Sequence, residues 1–408
     1  MKDMRSHVRD RRVAAGLLVV SSMMAIGASA PQPQPQSFSF AMTNVYVAAY
    51  EDEKACRALS LSSSDLFLKT LPRAERAKYE APDKVQNLHN LMGQRLGFKM
   101  VPTGKPSGSN GSMAQLSEAE QEALRQKYHI PKGKGTAAFL GTRFAYDSCT
   151  NPEDFPFMEK GNEDYRGPIA YGIDLDGRAS KDDYVSPDKK PGVDNQLIRA
   201  VGCTFSTRDF GTPKVADEVI TSMSSPTLVE VSSVDDPVND DDVTVRLYAS
   251  ANPLELSGAG KPLAWASLDV DPDRRFMAQA KGKIRNGELL TEPFDLRLRL
   301  REQIIDSYRE VRQARIQAKI KPGEAIEGGI YGYHTLASIE DNYHQSTQVG
   351  ANLTRMSCPA LIKAVRRYAD AFPDPKTGRN TAISSALRFK GVPVFLIKPQ
   401  QVAQGVQQ

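Results

Sequence analysis

The stretch YGIDLDGRASKDDY, from Tyr171 to Tyr184, sets aspartates and a glycine in the alternation used by calcium loops. An EF-hand loop needs oxygen ligands at positions one, three, five and twelve and a glycine at six. With Gly177 at six, Asp174 falls at three, Asp176 at five and Asp183 at twelve, but position one is Gly172, which has no ligand side chain. The flanking YRGPIAYGI is not an amphipathic helix either. A true EF-hand is thereby excluded. An irregular calcium loop remains, with Asp174, Asp176, Asp183 and Asp194 as the ligand candidates and Asp182, Asp188 and Asn195 as further closers. The competing reading is an acidic turn. Asp and Gly tolerate left-handed backbone and cap their own amides, and Lys181, Lys189 and Lys190 would offset the charge without a metal.

Other groups with chemistry in them are weaker. SVDDPVNDDDV places Asp235, Asp236, Asp240, Asp241 and Asp242 between two expected strands. These carboxylates repel one another unless a cation or basic groups intervene. His334 and His344 lie ten residues apart in YHTLASIEDNYHQ, outside any standard zinc spacing, and read first as packing or surface residues. GxSxG, P-loop and post-strand GxGxxG signatures are absent, and GAGKP (258–262) lacks the phosphate-loop spacing. No catalytic or cofactor-binding residue is therefore assigned. Arg297, Arg299, Arg312 and Arg315 would line either an anion-binding sheet face or, more simply, a solvated one.

The elements that must hold these residues follow from hydrophobic period. From 216 to 335 apolar residues alternate: Val229 and Val231, then Val243, Val245 and Leu247, then Phe294, Leu296, Leu298 and Leu300, then Ala314, Ile316, Ala318 and Ile320. Such a period of two marks strands with one buried face. Asn286-Gly287 signals a tight hairpin, and Lys321-Pro322-Gly323 another turn. The expected fold is α+β, an antiparallel sandwich or jelly-roll-like core flanked by helical segments. Residues 37–145 read as mainly helical, with serine caps before Leu66, Leu68 and Leu71, and capping-box spacing at Ser117 and Glu120. Residues 146–215 are Asp/Gly/Pro-rich and irregular. Residues 336–408 return to helix in CPALIKAVRRYADAF and NTAISSAL, before a final strand in VPVFLI.

The first thirty residues carry a basic head (Lys2, Arg5, Arg9, Arg11, Arg12), an apolar run from Val13 to Ile26 and Ala28-Ser29-Ala30, the pattern of a secretory signal peptide. Pro31 just beyond Ala30 disfavours cleavage there, which leaves cleavage after Gly27 or Ala28, or an uncleaved anchor. The run is shorter than the roughly 20 residues of a membrane span. PQPQPQ (31–36) is a stiff linker. A periplasmic or secreted location makes disulfides the expected state of Cys56, Cys149, Cys203 and Cys358, with three pairings open. A formal net charge of +4 on 408 residues excludes a strongly basic nucleic-acid binder.

SPDKKPGVDNQLIRAVGC, VDDPVNDDDVTVRLY and ADAFPDPKTGRNTAISSAL together resemble a group of uncharacterised exported proteins of Gram-negative bacteria, over about Cys149 to Ile397. The resemblance implies export and a single architecture, and brings no activity. It also implies a more acidic DLDG loop than the one here, where Arg178 and Lys181 stand. The function expected is a binding or structural protein braced by disulfides and calcium. The alternative is a hydrolase of an extracellular polymer. A grooved patch without a buried acid–base pair would mark the first, and a cleft of converging titratable groups the second.

Overall fold

In the computed structural model the described residues are 35–52, 54–80, 84–102, 142–208, 225–301, 306–353 and 355–399, with Ala119 and Ala123. The signal reading, residues 31–34 of the linker and the capping box at Ser117 lie outside them, and Gln36 at the linker's end already opens a strand.

The alternating segments form long antiparallel strands. These are β1 (Gln36–Val47), β4 (Thr227–Val234), β5 (Asp240–Ala249), β7 (Ala278–Arg285), β8 (Glu288–Thr291), β10 (Asp306–Lys321), β11 (Ala325–Thr335) and β13 (Asn380–Pro393). They pair in that order, and β1 then pairs β13, with Val45 opposite Phe389 and Val47 opposite Leu387. The sheet is therefore a closed eight-stranded barrel and not the sandwich or jelly roll expected from the sequence. Two further strands extend it: β9 (Phe294–Arg301) on β10, and β12 (Ala371–Pro373) on β13. The short strands β6 (Ser267–Asp269) and β14 (Phe395–Ile397) pair with each other in parallel, and β2 (Lys99–Pro102) pairs β3 (Thr142–Tyr146).

An eight-stranded barrel is just wide enough for its own side chains to fill. Phe40, Val231, Val245, Ile284, Leu289, Ile316, Ile330 and Phe389 do so, each almost wholly buried. Arg246, Lys281, Lys283, Arg297, Lys319 and Lys390 point the other way. An apolar inside and a charged outside is the reverse of a lipid-spanning barrel. Among the described residues no helix is long and apolar enough to cross a membrane.

Closure depends on two segments whose strand character the sequence pattern hides. SFSFAMT (37–43) lies at the start of the region whose sequence reads as mainly helical, yet Phe40 and Met42 alternate into the barrel. NTAISSAL reads as a helix, but it is the start of β13. It is buried on both faces because helices cover its outside, so it shows no alternation.

Helices gather at one end of the barrel. They are α1 (Ser63–Thr70), α2 (Arg73–Arg76), α3 (Val85–Leu96), α4 (Gln196–Val201), α5 (Phe205–Arg208), α6 (Leu336–Leu353) and α7 (Cys358–Tyr368). Ser62 caps α1 in a reciprocal box with Asp65, as the serine run foretold. Leu361 and Val365 of α7 meet Leu197 and Val201 of α4 and Ile383 of β13. Leu66, Phe67, Leu88, Met92, Phe155 and Met158 make a second core beneath α1 and α3. The cysteines pair Cys56–Cys203 and Cys149–Cys358. Neither bridge lies in a barrel strand, so both staple the helical cap.

Candidate functional site

The opening aspartates do converge. Gly177 and Gly192, at φ +77 and +82, let the chain fold back so that Asp174, Asp176 and Asp194 bring one carboxylate oxygen each to within 4.8 Å of the others. That spread is twice a calcium–oxygen distance of about 2.4 Å. Asp194 is buried, 7% exposed, and its Oδ2 accepts from the Leu175 amide at 2.7 Å. Burial pushes its carboxyl up to about 6, and the Asp176 and Asp183 carboxylates push the same way. Asp174 accepts from the Gly177 amide and Asp176 from the Arg178 amide, which orients both acids. The Arg315 guanidinium donates to the Leu175 carbonyl at 3.2 Å and ties the loop to β10. An all-oxygen acidic set of this kind suits a hard divalent cation.

Asp183, the fourth sequence candidate, is not in that group. Its carboxylate accepts from the Ser180 amide and hydroxyl and so closes its own turn. Asp370 was missed. It lies close enough for Asp176 to act on its charge, and burial raises its carboxyl. Tyr333 is raised by burial and by Asp194, Asp370 and Asp176 together. Neither residue has a local signal in the sequence, because β11 and the residue before β12 bring them in from distant positions.

The second acidic run resolves the other way. Asp240 accepts amides of Asp235, Asp236 and Asp242, while Asp241 and Asp242 pair with Arg285 and Lys281. The arginine face is likewise satisfied: Arg297 pairs with Glu310 at 3.0 Å, Arg299 with Asp271, and Arg312 lies over Phe372. GAGKP is a turn closed by the Leu256–Pro262 bridge.

Two concave features flank the barrel, one at each end of β1 and β11. At the Ser37 end, a groove of about 440 Å³ runs beneath Trp265 and Phe395, with Glu230 and Lys398 on its wall. Trp265 is the chain's one tryptophan and is 50% exposed, and Phe395 is 55% exposed. Their ring centroids are 5.3 Å apart. Trp265 holds a left-handed backbone, φ +65, fixed by its amide on the Pro393 carbonyl. That conformation costs a non-glycine residue on the order of 1–3 kcal/mol.

No family model, curated protein or solved structure matches this chain.

At the other end, under the helical cap, a cavity of about 200 Å³ is lined by Val47, Leu197, Ile339 and Met356, with His334 and Arg309 as its charged or titratable neighbours on the strands. His334 is on β11 and not on a helix. It shares the inward face with Ile326 and Ile330, is opposite Val311 and Ile383, and is 4% exposed. Burial, and then the Arg309 charge, hold its imidazole down to about 3. It is therefore neutral at pH 7. Neither it nor His344 belongs to a group of metal-ligating side chains among the described residues.

Proposed function

We propose that the protein is an exported binding protein, periplasmic or secreted, that takes a saccharide polymer in the Trp265 groove and has its acidic loop braced by calcium. The observation that carries the first part is Trp265 itself. A large aromatic is held half-exposed in a strained conformation beside a second exposed ring. Such strain persists where the surrounding structure enforces it, and it clusters at ligand clamps. Flat apolar rings edged by polar groups match the face of a pyranose and its hydroxyls. The Glu230 carboxylate, the Lys398 ammonium and the hydroxyls of Ser37 and Ser39 supply the polar edge.

A hydrolase finds less support in the same groove. Glycoside hydrolysis needs two carboxylates about the scissile bond. Glu230 is the carboxylate among the lining residues, and Lys398 at 2.7 Å and the Tyr248 hydroxyl at 3.0 Å engage it. The two disulfides accord with an oxidising compartment.

Two measurements test the reading. Calorimetric titration with soluble oligosaccharides should give saturable binding that Trp265→Ala and Phe395→Ala each weaken at least about tenfold, the scale of an aromatic anchor. Absence of binding across glucan, xylan, chitin and peptidoglycan fragments would remove the saccharide assignment. Separately, calcium at 10 mM should stabilise the protein by about 1.4–2.7 kcal/mol if the site binds at ~0.1–1 mM, as extracellular sites do. Chelator should reverse that gain, and Asp194→Asn should abolish it. A melting temperature indifferent to both calcium and chelator would contradict the calcium brace.

A further inference from the structure

The cavity between barrel and cap contains an unusual polar group. A buried neutral imidazole ordinarily donates its N–H to a carbonyl or carboxylate and accepts a hydrogen bond at its other nitrogen. Among the described residues, neither Nδ1 nor Nε2 of His334 has a hydrogen-bond partner, although the side chain is 96% buried. The nearby polar groups are already engaged with one another. Ser338 accepts from the Glu310 amide and from the Thr335 hydroxyl, and it donates to the Thr335 carbonyl. Thr204 donates to the Val201 carbonyl. His334 thus faces the cavity with a donor and an acceptor to offer.

The rest of the wall defines what would meet them. Val47, Leu197, Ile339 and Met356 are apolar, and the Arg309 guanidinium brings a positive charge to the His334 side. Arg309 shares a face of β10 with Val311, the residue registered with His334. The size is that of a small organic molecule: an engineered apolar cavity of about 150 Å³ admits benzene, and this one is about 200 Å³. A half-buried cation on the wall favours an anionic head, and a planar guanidinium suits a carboxylate.

We infer that this cavity is a second ligand site, which takes a small monocarboxylate with an apolar body of about six carbons, its carboxylate between the His334 N–H and the Arg309 guanidinium. The site is independent of the groove, which lies at the opposite mouth of the barrel.

The test uses the full chain at pH 7 with benzoate and hexanoate as probes, and benzyl alcohol and hexanol as their uncharged counterparts. Calorimetry should give one saturable site for a carboxylate, with the matching alcohol at least about tenfold weaker. His334→Leu should fold and lose carboxylate binding at least about tenfold. Arg309→Gln should erase the preference for acid over alcohol, which it does whether or not His334→Leu folds. Val201→Phe, which fills the cavity from α4, should block both probe classes. Binding of no probe, as for a cavity that holds water only, would overturn the inference. So would equal affinity for acid and alcohol, or carboxylate binding undiminished in folded His334→Leu.

Discussion

Cys149→Ala/Cys358→Ala is expected to lose about 3–5 kcal/mol of stability, and to do so unevenly. The bridge spans 209 positions, and a loop of that size is worth about 5 kcal/mol in the chain-entropy model. The Cys56–Cys203 bridge overlaps it in sequence, so part of that constraint survives in the variant. Both sulfur atoms belong to wholly buried residues, which adds a packing loss. Both bridges tie only the cap, and the barrel is closed by its own ladders. The cap should therefore melt before the barrel. Trp265, at the barrel's far mouth, reports the later step by fluorescence, while near-ultraviolet circular dichroism of the tyrosines reports the earlier one. One unshifted, coincident transition would contradict this division.

Acid should destabilise the protein well above the ordinary carboxylate range. The His334 imidazole is held down to about 3 when folded and returns to about 6.5 when unfolded. Between those values the unfolded chain binds the extra proton, so stability rises with pH. The contribution is complete above about pH 6.5 and is lost as pH falls toward 3, at about 1.4 kcal/mol per unit and about 5 kcal/mol in all. Arg309 on β10 is the charge acting on it, and it opposes protonation. Tyr343 on α6, pushed up to about 12, stays neutral throughout. His344, also lowered by burial, adds in the same direction. Asp194 works against both between about 3.8 and 6, because its folded carboxyl is raised and holds a proton that the unfolded chain has released. Urea unfolding at pH 7, 6 and 5 should show His334→Leu with a much flatter dependence than the parent. Parallel slopes would show that His334 is not the acid-sensitive group.

The sequence conveyed strands far better than it conveyed their closure. Val229, Val231, Val245, Ile316 and Ile320 were assigned to an inner face by period alone, and all are buried. Asn286 and Gly287 take positive φ in the hairpin their types foretold. Closure was hidden because it joins β1 to β13, whose Ala- and Ser-rich start has both faces covered and so mimics a helix. Alternation shows that a sheet has one dry face, but not whether that face meets a second sheet or curls upon itself.

The sites were legible in proportion to how local they are. Asp174 and Asp176 stand out because turn and ligand spacing coincide within four residues, and Asp194 follows within one loop. Asp183 had the right spacing and the wrong orientation, since Ser180 claims its carboxylate. Trp265, Phe395 and Glu230 meet from three distant segments, and His334 is isolated in sequence. No spacing rule could have assembled either cavity.

The single tryptophan makes the saccharide reading directly observable without any substitution. Titration of the native protein with glucan, xylan, chitin and peptidoglycan oligomers, followed by intrinsic fluorescence, reads Trp265 alone. Engagement of its half-exposed ring should shift the emission to shorter wavelength along a saturable curve for at least one of them. Emission that stays at its exposed value with every oligomer, in protein shown by circular dichroism to be folded, would contradict the account.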